Sequence, residues 1–165
     1  DLRLKITDSV IDDEAYALYE RYIMEKHADG DMFPPDREQY ESFLNNSLGC
    51  TQYFRLYDKD RLACVAVSDQ MLDGLAAIYT FYDPNLDKRS LGTFAVLLQI
   101  SHAKKLGLPY VYLGYWIDGC RKMSYKTRFK PLEMLSNGRW HGDGDSSTSG
   151  LSTIPVVNVS RDARD

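Results

Sequence analysis

Between Tyr115 and Lys130 the chain carries five basic residues, Arg121, Lys122, Lys126, Arg128 and Lys130, against one acid, Asp118. Tyr115, Trp116, Tyr125 and Phe129 interleave with them. Cations alternating with flat rings suit a polyanion with stackable bases, since the charges meet phosphates and a ring face accepts any base. Composition alone favours a plainer reading, a solvated basic turn. A second pair of cations, Lys26 and His27, closes a helical pattern. Positive charge there also complements the helix dipole, so capping and binding are equally supported by the local sequence. Tyr79, Tyr82 and Tyr115 sit on strands flanking a helical segment, at the strand ends that line the cleft of such sheets, although strand tyrosines are mostly core or rim residues. Asp69 could accept a proton, but it precedes a hairpin, where Asp is commonly a turn residue. His102 falls on an apolar helical stripe and reads as structural. His141 and the scattered Cys50, Cys64 and Cys120 complete no Ser-His-Asp, Cys-His or metal-ligand pattern.

The element that organises the rest runs from Ser90 to Leu106. Ser90 reads as a helix N-cap, and Gly107 followed by Pro109 as a stop. Leu91, Phe94, Leu98 and His102 recur at the spacing of one helical face. Apolar strands, Leu75 to Tyr82 and Tyr110 to Tyr115, bracket it, which predicts a right-handed crossover joining parallel strands. Upstream, Leu2, Leu4 and Ile6 alternate with Arg3 and Lys5 as in a half-buried strand. A helix opens at Asp12-Asp13-Glu14, carries Tyr16, Tyr19, Ile23 and His27 as a stripe, and ends near Asp29-Gly30. Asp36 and Gln39 resemble a capping box for a second helix through Leu44. Tyr53 to Tyr57 and Leu62 to Val67 then lead into the strand from Leu75 as an antiparallel meander. Asp118 to Phe129 reads as a loop with a short helix, and Leu132 to Leu135 as a last strand. Residues 141–165, which begin with a Gly-, Ser- and Asp-rich run, are expected to be a disordered tail.

At 165 residues, 44% of them hydrophobic, the chain fits one domain with a sizeable core. A net charge of −4 argues against a wholly basic nucleic-acid module but leaves room for a basic patch. The odd number of cysteines argues against a disulfide scaffold. No segment has the roughly 20 apolar residues that span a bilayer, and none reads as a signal peptide. A soluble, cytoplasmic protein without membrane partners is expected. The chain opens without Met on strand-like residues, as a piece of something longer would.

Helices, then a meander, then a crossover make an α/β domain with a mixed sheet flanked by helices, an order that resembles the Gcn5-related N-acyltransferase (GNAT) superfamily. In that superfamily the turn before the crossover helix reads Arg or Gln, two residues, Gly, one residue, then Gly or Ala. Here it reads Arg89-Ser90-Leu91-Gly92-Thr93-Phe94. The first four positions fit. Phe94 stands where a small residue lets amides approach a pyrophosphate, which counts against coenzyme A as donor. A sharper resemblance rests on Tyr19-Glu20-Arg21-Tyr22 with Lys26-His27 and Gly30-Asp31-Met32, on Tyr79-Thr80-Phe81-Tyr82-Asp83-Pro84, on Ser90-Leu91-Gly92-Thr93, on Tyr112-Leu113-Gly114-Tyr115-Trp116-Ile117, on Lys122-Met123-Ser124-Tyr125-Lys126-Thr127-Arg128-Phe129, and on Gly138-Arg139-Trp140. These blocks, over roughly residues 5 to 140, are similar to the C-terminal catalytic domain of bacterial aminoacyl-tRNA–protein transferases, specifically the aspartate/glutamate leucyltransferases, which are related to the arginyltransferases. Two departures stand out. Lys26 replaces the family's usual Arg and so loses a planar fork, and the cysteine cluster of the family's N-terminal domain is absent from this chain.

The resemblance implies attack by a protein's α-amino group on the ester of an aminoacyl-tRNA, with no cofactor or metal in this chain. It implies aminoacyl-tRNA and proteins with acidic N-termini as partners. Lys26 and His27 would then grip the acceptor carboxylate, and Tyr79 is a further substrate-binding candidate. Arg89, Ser90, Leu91 and Gly92 would position the acyl end, and Lys122, Lys126 and Arg128 would hold the tRNA. Tyr125 falls where related acyltransferases place a leaving-group acid, with Tyr115 and Asp69 as further catalytic candidates. Leucyl rather than arginyl transfer follows from the bacterial look of the Lys26-to-Met32 block. Alternative readings are an arginyltransferase, a coenzyme A-dependent N-acetyltransferase and a non-catalytic module that binds acidic N-termini or tRNA.

Overall fold

Gly74 is the residue that lets the crossover close. In the computed structural model, which describes residues 1–45, 48–117, 119–142 and 154–158, strand β4 (Gly74–Tyr82) lies parallel to β5 (Tyr110–Tyr112), with Gly74 opposite Tyr110. A Cβ on Gly74 would lie 2.6 Å from the Tyr110 carbonyl oxygen, so no side chain fits. Helix α3 (Leu91–Leu106) makes the connection. Its end is a Schellman motif: Gly107 (φ 71°) donates to Lys104, and Leu108 to Ala103. The expected crossover and stop are both present.

The chain divides into two compact units, residues 1–69 with 79–95 and residues 70–78 with 96–165. In the first, the strand order is β1-β2-β3-β4, from β1 (Leu2–Thr7), β2 (Thr51–Asp58), β3 (Arg61–Gln70) and the second half of β4. β2 runs antiparallel to both β1 and β3. Helix α1 (Asp13–Lys26) is capped by the Asp12 carboxylate, which accepts from the Ala15 amide at 2.9 Å, and α2 (Arg37–Phe43) by Asp36, which accepts from Gln39 at 2.8 Å. Ala15, Leu18, Tyr19, Tyr22 and Ile23 of α1 enter one core with Tyr40, Tyr53, Tyr57, Val65, Val67 and Phe81. So many tyrosines can be buried because their tips find partners. Tyr40 donates to the Val10 carbonyl at 2.6 Å, Tyr53 to that of Leu44, and Tyr57 to the Glu14 carboxylate at 3.1 Å.

In the second unit the order is β4-β5-β8-β6-β7, with β6 (Leu132–Ser136), β7 (Arg139–Gly142) and β8 (Ile154–Asn158). Apart from β4 and β5, these neighbours are antiparallel, so the sheet is mixed.

Several expectations need correction. The proposed tail contains β7's end and all of β8. Val156 and Val157 are β-branched, apolar and buried between β5 and β6; the polar run ahead of them hid that signal. Residues 143–153 and 159–165 lie outside the described residues. The buried line of α3 is Leu91, Ala95, Gln99 and Ala103, with Val96 beside it, whereas Phe94 is exposed. Two alanines at helical spacing can face the core as well as larger residues, and that displaced the stripe by about one position. Leu4 and Ile6 on edge strand β1 remain exposed. Ser90 adopts left-handed φ 50°, ψ 45° and closes a 3-10 helix (Pro84–Arg89), instead of the extended backbone of a capping Ser. The strand expected from Tyr110 to Tyr115 ends at Tyr112, and α1 ends at Lys26.

Candidate active site

Within the first unit a cluster forms where α1 ends beside the 3-10 helix. Tyr22 and Lys26, four residues apart, share a helix face. Lys26 Nζ donates to Asp87 Oδ2 at 2.5 Å, with the two side chains 32% and 55% exposed. The hydrogen bond it donates to Asp87 holds the Lys26 ammonium above its ordinary pKa. His27 Nε2 lies 3.0 Å from the Tyr22 hydroxyl, and the Tyr22 ring lies 5.0 Å from that of Tyr82, tilted by 57°. Burial raises the Tyr82 phenol, the Asp87 carboxylate adds to that, and Lys26 opposes it.

Asp87 is held in place by its turn. Asp83, fully buried, accepts from the Asn85 amide at 3.0 Å, and its own amide donates to the Ala63 carbonyl. Arg61 lies 2.6 Å from Asp83 Oδ2. At the far end Arg89 contacts Asp58 at 3.1 Å and Asp1 at 2.6 Å. The guanidinium expected to face a donor is therefore engaged by two carboxylates. Leu91 is buried, so its side chain belongs to the core. Gly92 faces the Tyr82 ring. The Phe94 amide bonds the Ser90 carbonyl within the helix.

Tyr79 is packed among rings, 5.4 Å from Phe43, 6.2 Å from Phe81 and 6.5 Å from Tyr19, and burial raises its phenol. Asp69 lies inside β3, not in a turn, and accepts from the Thr51 hydroxyl at 2.7 Å.

In the second unit, residues Arg121–Arg128 form a 3-10 helix. Arg121, Lys122, Arg128 and Lys130 are exposed. Lys126 turns back and donates to the Tyr115 carbonyl at 2.6 Å. Burial lowers its pKa, which Cys120 partly offsets. Tyr115 is 66% exposed, and Tyr125 sits edge-on to Phe129 at 6.5 Å. The Trp116 indole Nε1 is buried without a hydrogen-bond partner. The structure thus joins Tyr115 with Lys126, and Lys26 and His27 with Tyr22 and Tyr82. Sequence reasoning gave Asp83 no role of its own and passed over Asp87. The signals were an Asp-Pro dipeptide at a strand end, which marks a helix start, and an acid four residues further on.

Among the described residues, no group of three or more His, Cys, Asp or Glu side chains could hold a metal ion, and no helix is long and apolar enough to cross a membrane.

The fold is that of the GNAT acyltransferases. The ribosomal-protein-S18-alanine N-acetyltransferase of Escherichia coli superposes with a TM-score of 0.59 at 16% identity, covering 99% of this chain and 98% of that one. A GNAT-family acetyltransferase of Staphylococcus aureus Mu50 gives 0.58 at 16% identity, covering 95% and 99%. Within that fold class, residues 14–136 match the family described as "Arginine-tRNA-protein transferase, C terminus", and the chain belongs to this family. Proteins named "Aspartate/glutamate leucyltransferase" are similar to it: that of Hahella chejuensis is 49% identical over 140 residues, and that of Teredinibacter turnerae 50% over 141, each covering 85% of this chain. The chain spans 60% and 58% of their lengths.

Proposed function

We propose that this chain is the acyl-transferring part of a cytoplasmic enzyme that moves leucine from aminoacyl-tRNA to proteins beginning with Asp or Glu, marking them for N-degron degradation. The observation that carries the reading is the near 50% identity to relatives named aspartate/glutamate leucyltransferase across 85% of the chain. The acceptor nitrogen attacks the ester carbonyl carbon. The C–N bond forms, the C–O bond to the terminal ribose breaks, the amine loses a proton and the ribose oxygen gains one. The ester is already activated, so positioning and charge stabilisation are what the protein must supply.

Lys26, with its cation raised, and His27 beside the Tyr22 hydroxyl form a set suited to a carboxylate. They are assigned to the acceptor's acidic side chain, with Tyr79 backing that region through its aromatic cluster. The Ser90-to-Gly92 turn would place the acyl end through its backbone, since the Arg89 and Leu91 side chains are engaged elsewhere. Lys122, Lys126 and Arg128 are assigned to tRNA phosphates and exposed Tyr115 to a stacked base. Tyr125 would protonate the leaving ribose oxygen, a role that suits a phenol. Asp69 remains a candidate proton acceptor, oriented by Thr51. No cofactor is assigned.

A second reading, coenzyme A-dependent acetyl transfer, is favoured by the fold alone. The test offers the full-length protein labelled Leu-tRNA, Arg-tRNA and acetyl-coenzyme A separately, each with Asp-, Glu- and Lys-initiated peptides. Leucine appearing on the Asp and Glu peptides only is the expected result. Label arriving from acetyl-coenzyme A or Arg-tRNA instead would replace the reading, and no transfer from any donor would leave a binding module.

A further inference from the structure

Asp87 has no part in the acceptor site as assigned so far, yet it is the carboxylate that Lys26 touches. The turn that carries it is fixed at both ends, by buried Asp83 at the start and by Arg89 against Asp58 at the finish. Asp87 therefore faces the end of α1 by construction, as a negative charge mounted beside a positive one. Both side chains are partly open to water, which makes their pairing weak and replaceable.

An N-terminal Asp brings the complementary pair, a side-chain carboxylate and an α-ammonium on adjacent carbons, the latter with a pKa of about 8. We infer that Asp87 is the specificity residue that receives the acceptor's α-amino group, so that binding exchanges one internal ion pair, Lys26–Asp87, for two intermolecular ones. This inference rests on the reading of Lys26 as the acceptor-carboxylate site. It explains why a carboxylate should sit where an acidic substrate must bind. A carboxylate arriving alone has to displace Asp87 and gives it nothing in return, whereas one that arrives with an amine restores both partners. Internal acidic side chains and free carboxylates are thereby disfavoured relative to true N-termini.

The exchange makes a selective prediction. Fluorescence anisotropy on the full-length protein, without tRNA, would compare an Asp-initiated peptide with the same peptide in which a succinyl group replaces the Asp, keeping the carboxylate and lacking the α-amino group. Asp87→Asn removes one pair from the free protein and one from the complex with the Asp peptide, whose affinity should change little, whereas the succinyl peptide no longer displaces a carboxylate and should bind about three- to tenfold more tightly, the scale of one exposed ion pair. Both peptides tightening by the same factor, or neither moving, overturns the role of Asp87. Lys26→Met separates the two readings. It leaves an arriving carboxylate facing Asp87 without a cation and should weaken the succinyl peptide; if it does so without the selective response in Asp87→Asn, the carboxylate site stands and only this inference falls. If Lys26→Met leaves the succinyl affinity unchanged, the carboxylate site and the inference fall together.

Discussion

Asp12→Asn isolates a charge that caps a helix and also serves a buried cation. Asp12 starts α1 and holds Arg55 of β2 through two contacts, at 2.5 and 3.2 Å, while Glu14 adds a third at 3.0 Å. The Arg55 side chain is 8% exposed, that of Asp12 40% and that of Glu14 45%. Asn caps helices about as well as Asp, so the cap survives and only the charge is lost. Stranding a fully buried charge costs about 3–5 kcal/mol. Here Glu14 remains, and water screens the exposed side of the network, so about 2 kcal/mol is expected. With a urea slope of about 2 kcal/mol/M, the unfolding midpoint at pH 7 should fall by about 1 M, with the slope unchanged. The pH dependence gives a second check. Burial alone would raise the Asp12 carboxyl, but the bonds from Arg55 and the Ala15 amide outweigh it and hold the pKa below 3.8. A carboxylate depressed on folding contributes stability that is complete above 3.8 and is lost as the pH falls through the lower, folded value. The gap between wild type and Asp12→Asn should therefore shrink in that acid range. A gap under about 0.5 kcal/mol at pH 7, within the range of ordinary surface substitutions, would refute the reasoning. So would a gap that stays constant into acid.

Gly74→Ala should destabilise the fold by about 2 kcal/mol or more, since the clash at 2.6 Å is with a backbone carbonyl that cannot swing aside; a melting temperature equal to wild type would contradict the close approach of β4 to β5. Tyr125→Phe should keep the circular dichroism spectrum and lower the single-turnover rate of leucyl transfer by about 10²-fold, the low end for a positioned acid. A normal rate in a folded variant would remove Tyr125 from the chemistry.

The sequence showed the crossover, both helix caps and the Gly107 stop because each is written in neighbouring residues: an Asp three before an amide, a Gly where φ turns positive. It did not show β8, because a short strand is recognised by what it pairs with, and the partners of Val156 and Val157 lie more than twenty residues away. The buried face of α3 was misjudged for a related reason, since Ala95 and Ala103 are too small to stand out from hydrophobic spacing alone. At the candidate site, residue types were legible and pairings were not. Nothing local says that Arg89 is held by Asp1 and Asp58, or that Lys26 faces Asp87 across 61 positions.

The position of β8 bears on how the second unit comes together during synthesis. Its register, Tyr110 with Asn158 on one side and Leu132 with Val157 on the other, makes it the strip that joins the edges of two strands that precede it in the chain. Until residues 154–158 have left the ribosome, β5 and β6 each present an open row of amides and carbonyls, the template on which chains pair with one another. A chain truncated near residue 140 would make that transient state permanent, and it should self-associate.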